Sequence, residues 1–179
     1  MQKKQMLPTK HEQKNCQMIN IRQEIEGRLS VLKGLQVSAV RHAADMLTVQ
    51  FGSLREVSNF KGEVKHVGQW ALHVQCDWQI ERDGKVLATQ DVLAVSEGEA
   101  QHRAAERISD LLVGHQRIIV ESISANASGD VQLILSEGTR MIVTSGRIPE
   151  YEDWRLFDPG SDARHFVIEG GKIDPYSLP

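Results

Sequence analysis

Gln69-Trp70-Ala71-Leu72-His73-Val74-Gln75-Cys76-Asp77-Trp78-Gln79-Ile80-Glu81 divides by parity into two sets. Trp70, Leu72, Val74, Cys76, Trp78 and Ile80 form the apolar set; Gln69, Ala71, His73, Gln75, Asp77, Gln79 and Glu81 form the other. A period of two over this length predicts a β-strand with one buried and one wet face. Parity places the Cys76 thiol among tryptophans, where it behaves as a small hydrophobe rather than a nucleophile. His73, Gln75 and Asp77 share the wet face. At roughly 3.3 Å per residue, His73 and Asp77 stand about 13 Å apart on a straight strand. They cannot bond each other, so a catalytic pair would need a neighbour from another strand.

Downstream, Arg82-Asp83-Gly84 is a hairpin signal, because Asp-Gly accepts positive φ, and Lys85–Thr89 is the expected return strand. Ser96 and Glu99 form a capping box for a helix to about Val113 that buries Ala100, Ala104, Ile108 and Leu111 and stops at Gly114. Upstream, Ile21–Lys33 reads as a helix capped by Asn20 and Gln23, with Ile21, Ile25, Leu29 and Leu32 on one face. Strands are expected at Leu35–Val40 and Asp45–Phe51, a strand or loop at Val57–Val64, and further strands at Arg117–Ile123, Val131–Leu135, Met141–Thr144 and His165–Glu169. The fold class is α+β, mainly antiparallel sheet with two helices.

The order of elements repeats. Lys33-Gly34, strand, Asp45, strand and Gly52 are echoed by Val113-Gly114, strand, Asp130, strand and Gly138, and a tryptophan-bearing segment follows each time. Two similar α+β halves are expected, 19–95 and 96–179, each bringing one helix to a meandering sheet; the plainer alternative is one continuous domain. Residues 1–18 are rich in Gln and Lys without periodicity and read as a disordered leader, with Met18 a second candidate start. His11, Glu12 and Cys16 within it match no zinc spacing.

The 179 residues are 40% hydrophobic and 25% charged, with a net charge of -3 and no long basic run. That balance argues against nucleic-acid and anionic-membrane partners. No apolar run is long enough for a transmembrane helix. Cys16 and Cys76 are poor disulfide partners, so reduced thiols and a cytoplasmic location are expected.

The common nucleotide-binding, hydrolase and metalloprotease signatures are missing, which weighs against an enzyme. No catalytic residue, metal ligand or cofactor is assigned. The second cluster of interest is Glu150-Tyr151-Glu152-Asp153-Trp154-Arg155-Leu156-Phe157-Asp158, in the most acidic part of the chain: residues 147–179 hold seven acidic and four basic side chains. Such carboxylates can hold a metal or work as an acid/base pair. The plainer reading is a solvated loop pinned to the core by Trp154, Leu156 and Phe157. Candidate binding residues are His73, Gln75, Asp77, Glu150, Glu152, Asp153 and Arg155.

Gly68–Trp78 with Gln90-Asp91, Gly129-Asp130-Val131-Gln132-Leu133, and Glu152–Phe157 with His165-Phe166-Val167 resemble the motifs of a family of small bacterial cytoplasmic proteins without an assigned activity. Its strand has the pattern G-x-x-ALHVQC-x-W, followed by GD-x-x-L and a WRLF segment. Gln79 stands where that pattern has Arg after its tryptophan. The strand–turn–strand–Trp arrangement is also similar to that of bacterial toxin-immunity proteins. The resemblance carries no catalytic residues. The missing catalytic signatures and the displayed acidic, aromatic C-terminal region lead to the expectation of a non-enzymatic protein-protein interaction protein, immunity-like, with a protein partner or self-association. The rival expectation is a small-molecule binding protein or cryptic enzyme, with a pocket between the halves built from His73, Asp77 and the carboxylates near Trp154.

Overall fold

The period-two stretch forms two strands, not one. In the computed structural model, which describes residues 21–58, 61–94, 98–114 and 117–178, β5 (Trp70–Val74) and β6 (Asp77–Arg82) belong to different sheets, and the chain turns a corner at Gln75-Cys76. The apolar set stays inward through the corner, with Leu72, Val74, Cys76, Trp78 and Ile80 buried and Trp70 partly so, but the other set is not wholly wet, since Ala71 and Glu81 are buried too. Strands that pass from one sheet to the other keep the same side inward, because both inner faces line a common core.

Thirteen strands are present among the described residues, and every pairing is antiparallel. The six-stranded sheet runs β1 (Val37–Ala43), β2 (Met46–Phe51), β5, β11 (Glu152–Phe157), β12 (Phe166–Glu169), β13 (Lys172–Ile173). The five-stranded sheet runs β7 (Lys85–Thr89), β6, β10 (Thr139–Thr144), β9 (Val131–Leu135), β8 (Val120–Ala125). β3 (Arg55–Ser58) and β4 (Val64–Val67) form a separate hairpin between β2 and β5.

The two halves of the chain follow one path with the sheets exchanged. β1, β2 and β5 build three adjacent strands of one sheet, and the chain then crosses to place β6 and β7 in the other. β8, β9 and β10 do the same in the second sheet, and β11 and β12 cross back. Neither sheet belongs to one half. The equivalence extends to single residues: a β-bulge interrupts β1–β2 between Val37 and Ala39, and another interrupts β8–β9 between Val120 and Ser122, 83 residues later. The starts of β1 and β8 also bond each other reciprocally. Val37 N–H donates to Ile118 O at 2.8 Å, and Val120 N–H donates to Leu35 O at 2.9 Å. Trp78 pairs with Val143, and Trp154 with Val74.

A helix precedes each three-stranded run. The first (α1, residues 21–29) tightens into a 3₁₀ turn at Ser30–Leu32 and buries Ile25, Leu29 and Leu32, as its spacing predicts. After the short α2 (Asp91–Ala94), α3 (Glu99–Ser109) ends in a π-turn over Asp110–Gly114. That wider turn moves burial at the helix end from Leu111, only partly buried, to Leu112, and at the helix start Ala100 is exposed rather than buried as expected. α3 begins after Gly98 without a side-chain cap. Asn20, Ser96, Cys16 and the 1–18 leader lie outside the described residues. No described helix is long and apolar enough to cross a membrane.

Candidate functional site

The acidic segment expected as a solvated loop is a strand inside the six-stranded sheet, with β5 on one side and β12 on the other. A bulge between Glu152 and Trp154 breaks its alternation and turns both Asp153 and Trp154 inward. Beyond the bulge parity resumes: Leu156 is buried, while Arg155 and Phe157 face outward beside β5.

This register brings three of the candidate residues together. Across the outer face, Arg41, Thr48, His73, Arg155 and Val167 stand in one cross-strand row. Arg155 Nε–H donates to Glu152 Oε1 at 2.6 Å, and Arg155 Nη1 lies 3.5 Å from His165 Nδ1. The Phe157 ring is the hub. His73 meets it edge-on with centroids 4.5 Å apart, and His165 stacks on it at 4.4 Å. Burial, then the neighbouring Arg155 cation, pushes the His73 imidazole down to about 4. The same two causes lower His165. At neutral pH the face therefore presents two uncharged imidazoles and one aromatic ring, with the guanidinium tied to a carboxylate. Asp158 closes one end through an ion pair with Arg55 of the β3–β4 hairpin.

The other candidates lie elsewhere. Gln75 is exposed at the corner, where its N–H donates to Asp153 O at 2.8 Å. Asp77 is exposed on β6, beside a polar recess of about 300 Å³ shared with Gln79, Gln90 and Asp91. His73 and Asp77 thus sit on different sheets. Glu150 is exposed in a turn at φ +65°. Asp153 is internal: its carboxylate accepts from Ser145 Oγ at 2.7 Å, Gly146 N at 2.8 Å and Gly171 N at 2.7 Å. Those three bonds tie the ends of β10, β11 and β12 together. Cys76 is buried, and burial pushes its thiol up to about 12, as its parity predicts.

Phe157 and His165 were not among the expected binding residues. Parity from Leu156 could have placed Phe157 outward. His165 joins only through the β11–β12 pairing, which no local pattern encodes.

The second sheet offers an internal comparison. By the shared register, Gln132, Ile142, Gln79 and Thr89 occupy the places of Thr48, His73, Arg155 and Val167. Arg140 and Glu81, an ion pair, occupy those of Ala71 and Phe157. The sheet therefore forms without an imidazole there, and its guanidinium, that of Arg140, stands two residues along β10 from Ile142. The face holds no hydroxyl or thiol nucleophile bonded to either imidazole, and among the described residues no three His, Cys, Asp or Glu side chains are placed to hold a metal ion. What the face presents is flat rings, an oriented guanidinium and neutral hydrogen-bonding nitrogens. Set beside known proteins, the chain matches no family model, no curated protein and no solved structure.

Proposed function

We propose that this chain is a non-enzymatic binding protein that meets a protein partner through the outer face of the six-stranded sheet, in the manner of a toxin-immunity protein. One observation carries the reading: the His73–Phe157–His165 stack and its Arg155–Glu152 brace exist on one sheet and not at the equivalent positions of the other. Aromatic rings and arginine are the residue types that dominate binding at protein interfaces, above all when they are held in place before contact. The brace supplies that, since Glu152 fixes the guanidinium plane and the stack fixes the rings. Tyr151, in the turn just before the same strand, is 69% exposed. The acidic balance of residues 147–179 favours a partner with a basic surface.

The test is affinity capture with the full chain, run beside the Phe157→Ala/Arg155→Ala double variant and an Asp77→Asn control. A stoichiometric partner retained by wild type and control and lost by the double variant is the expected result. Equal retention by all three, or no macromolecular partner from the native lysate, rules the proposal out.

A further inference from the structure

The same internal comparison points to a second site, of a different kind. Between β7 and α3 lies a cavity of about 830 Å³. Leu87, Ala88, Val92, Ala104, Ile108 and Leu111 line it, with Arg82, Arg107 and Asp110 as its charged groups. Its volume falls in the range of small-molecule sites, and its walls are apolar with a few polar groups, as such sites are.

The cavity exists because two positions are small. Ala88 pairs with Ile80 on β6; the equivalent residue, paired with Leu156 on β11, is Phe166. Ala104 precedes Ile108 and Leu112 on α3 as Ile21 precedes Ile25 and Leu29 on α1, an offset of 83 residues that matches the strands. In the counterpart location, then, a phenyl ring and a branched chain stand where the cavity has two methyl groups. Arg28 closes that location by lying over Phe166, 5.6 Å from the ring centroid, with Glu24 holding its guanidinium at 2.8 Å. On the cavity side, the residue in the place of Glu24 is Arg107 and that in the place of Arg28 is Leu111. The helix also ends differently: α1 tightens, whereas α3 opens into its π-turn, and Arg82 Nη2–H donates to the Leu111 carbonyl there at 2.9 Å.

We infer that this cavity binds a small amphiphile with an apolar body and a single carboxylate, the body lying against Ala88, Ala104 and Ile108 and the carboxylate facing Arg107 and Arg82. Charge selects the head group. Two guanidiniums against one carboxylate leave the lining net positive. The Arg107 guanidinium has no ion-pair or hydrogen-bond partner among the described residues, whereas that of Arg82 spends two donors, on Thr139 Oγ1 and Leu111 O. A planar, delocalised cation of this kind fits a carboxylate geometrically as well as by charge.

The probe is sodium decanoate, below its micellar concentration, titrated calorimetrically into the full chain beside decanol and decyltrimethylammonium. Decanoate should bind once per chain and raise Tm, with decanol at least about tenfold weaker and the cation not bound, since a charge-assisted hydrogen bond to a guanidinium is at stake. Ala88→Phe, which imports the residue of the sister location, should abolish decanoate binding without lowering the ligand-free Tm. Ala104→Ile is the second filling variant should the first fail to fold, and Arg107→Met should bring decanoate down to the affinity of decanol. The inference is overturned if decanoate fails to bind, if a folded filling variant still binds it, or if decanol binds equally well. It is also overturned if sedimentation gives a dimer that Ala88→Phe dissociates, because the cavity would then hold a second copy of the chain.

Discussion

Trp78 and Trp154 are the same residue of the repeated path, yet replacing each by phenylalanine should not cost the same. Both indoles are buried, at 3% and 0% exposure. Trp154 Nε1–H donates to the Gly129 carbonyl at 2.8 Å, while the buried Trp78 Nε1–H has no hydrogen-bond partner among the described residues. The cause is a turn length. Residues 126–130 join β8 to β9 and carry Gly129 to the indole, whereas only Ala44-Asp45 joins β1 to β2. Each Trp→Phe change removes a similar amount of buried surface, at about 1–2 kcal/mol. Trp154→Phe also discards a hydrogen bond worth about 1 kcal/mol net and strands a carbonyl that loses its partner; Trp78→Phe instead removes a buried donor whose desolvation costs about 1–3 kcal/mol. The difference should reach about 2–4 kcal/mol, Trp154→Phe being the more damaging. Urea unfolding followed by far-UV circular dichroism gives both values without relying on the fluorophore being altered, and equal m-values would show that the unfolded states match. Equal destabilisation, or a larger loss for Trp78→Phe, would refute the hydrogen-bond argument and with it the residue-level equivalence of the halves.

Asp153→Asn should lower stability by about 2–4 kcal/mol, because the amide nitrogen would face the Gly171 N–H that now donates to a carboxylate oxygen; Asp77→Asn, at the equivalent but exposed position, should stay within about 0.5 kcal/mol in the same urea series. His73 titrates near 6.5 when unfolded and at about 4 when folded, so the unfolded chain binds the extra proton first as pH falls. Its contribution is intact above pH 6.5 and lost as pH drops towards 4, on the order of 1 kcal/mol for a half-buried group once solvent screening is allowed for. His73→Gln should flatten this part of the stability–pH profile, and an unchanged slope between pH 6.5 and 4 would count against the assignment.

Much of the framework is legible locally because local rules and burial agree. The α1 face, the Asp83-Gly84 hairpin and the inward side of Gln69–Glu81 are all written at short range. The corner at Gln75-Cys76 is not, for a specific reason: both sheets bury the same side of the strand, so the pattern runs through the bend unchanged. β11 misleads for the opposite reason. Its bulge draws Asp153 inward next to Trp154, and an alternation broken at an acidic residue reads as loop. The π-turn of α3 hides in the same way, since one extra residue moves burial from Leu111 to Leu112. The site is harder still to read, because His73, Arg155 and His165 meet through pairings between residues 82 and 10 positions apart.

A repeated path supplies what a single sequence usually lacks, a reference for what folding alone demands. Where the halves agree, as at the paired bulges, the reciprocal β1–β8 hydrogen bonds and the two buried tryptophans, the common residues are those the architecture needs. Where they differ without loss of register, the difference is unnecessary for the fold. Ile142 beside Gln79 supports a central strand pair as well as His73 beside Arg155 does, and Phe166 under Arg28 closes a location that Ala88 leaves open. Packing alone favours Ile142 over His73 and Phe166 over Ala88, since buried apolar area stabilises while an open cavity and a partly buried imidazole do not; at Phe157 and Glu81 the order is reversed. For the His73/Ile142 and Ala88/Phe166 pairs the less favourable residue lies on a different sheet each time. Stability cannot account for that pattern. Binding at the two proposed sites would account for it with different ligands: a protein surface for the stacked rings of the six-stranded sheet, and a small carboxylate for the cavity beside α3.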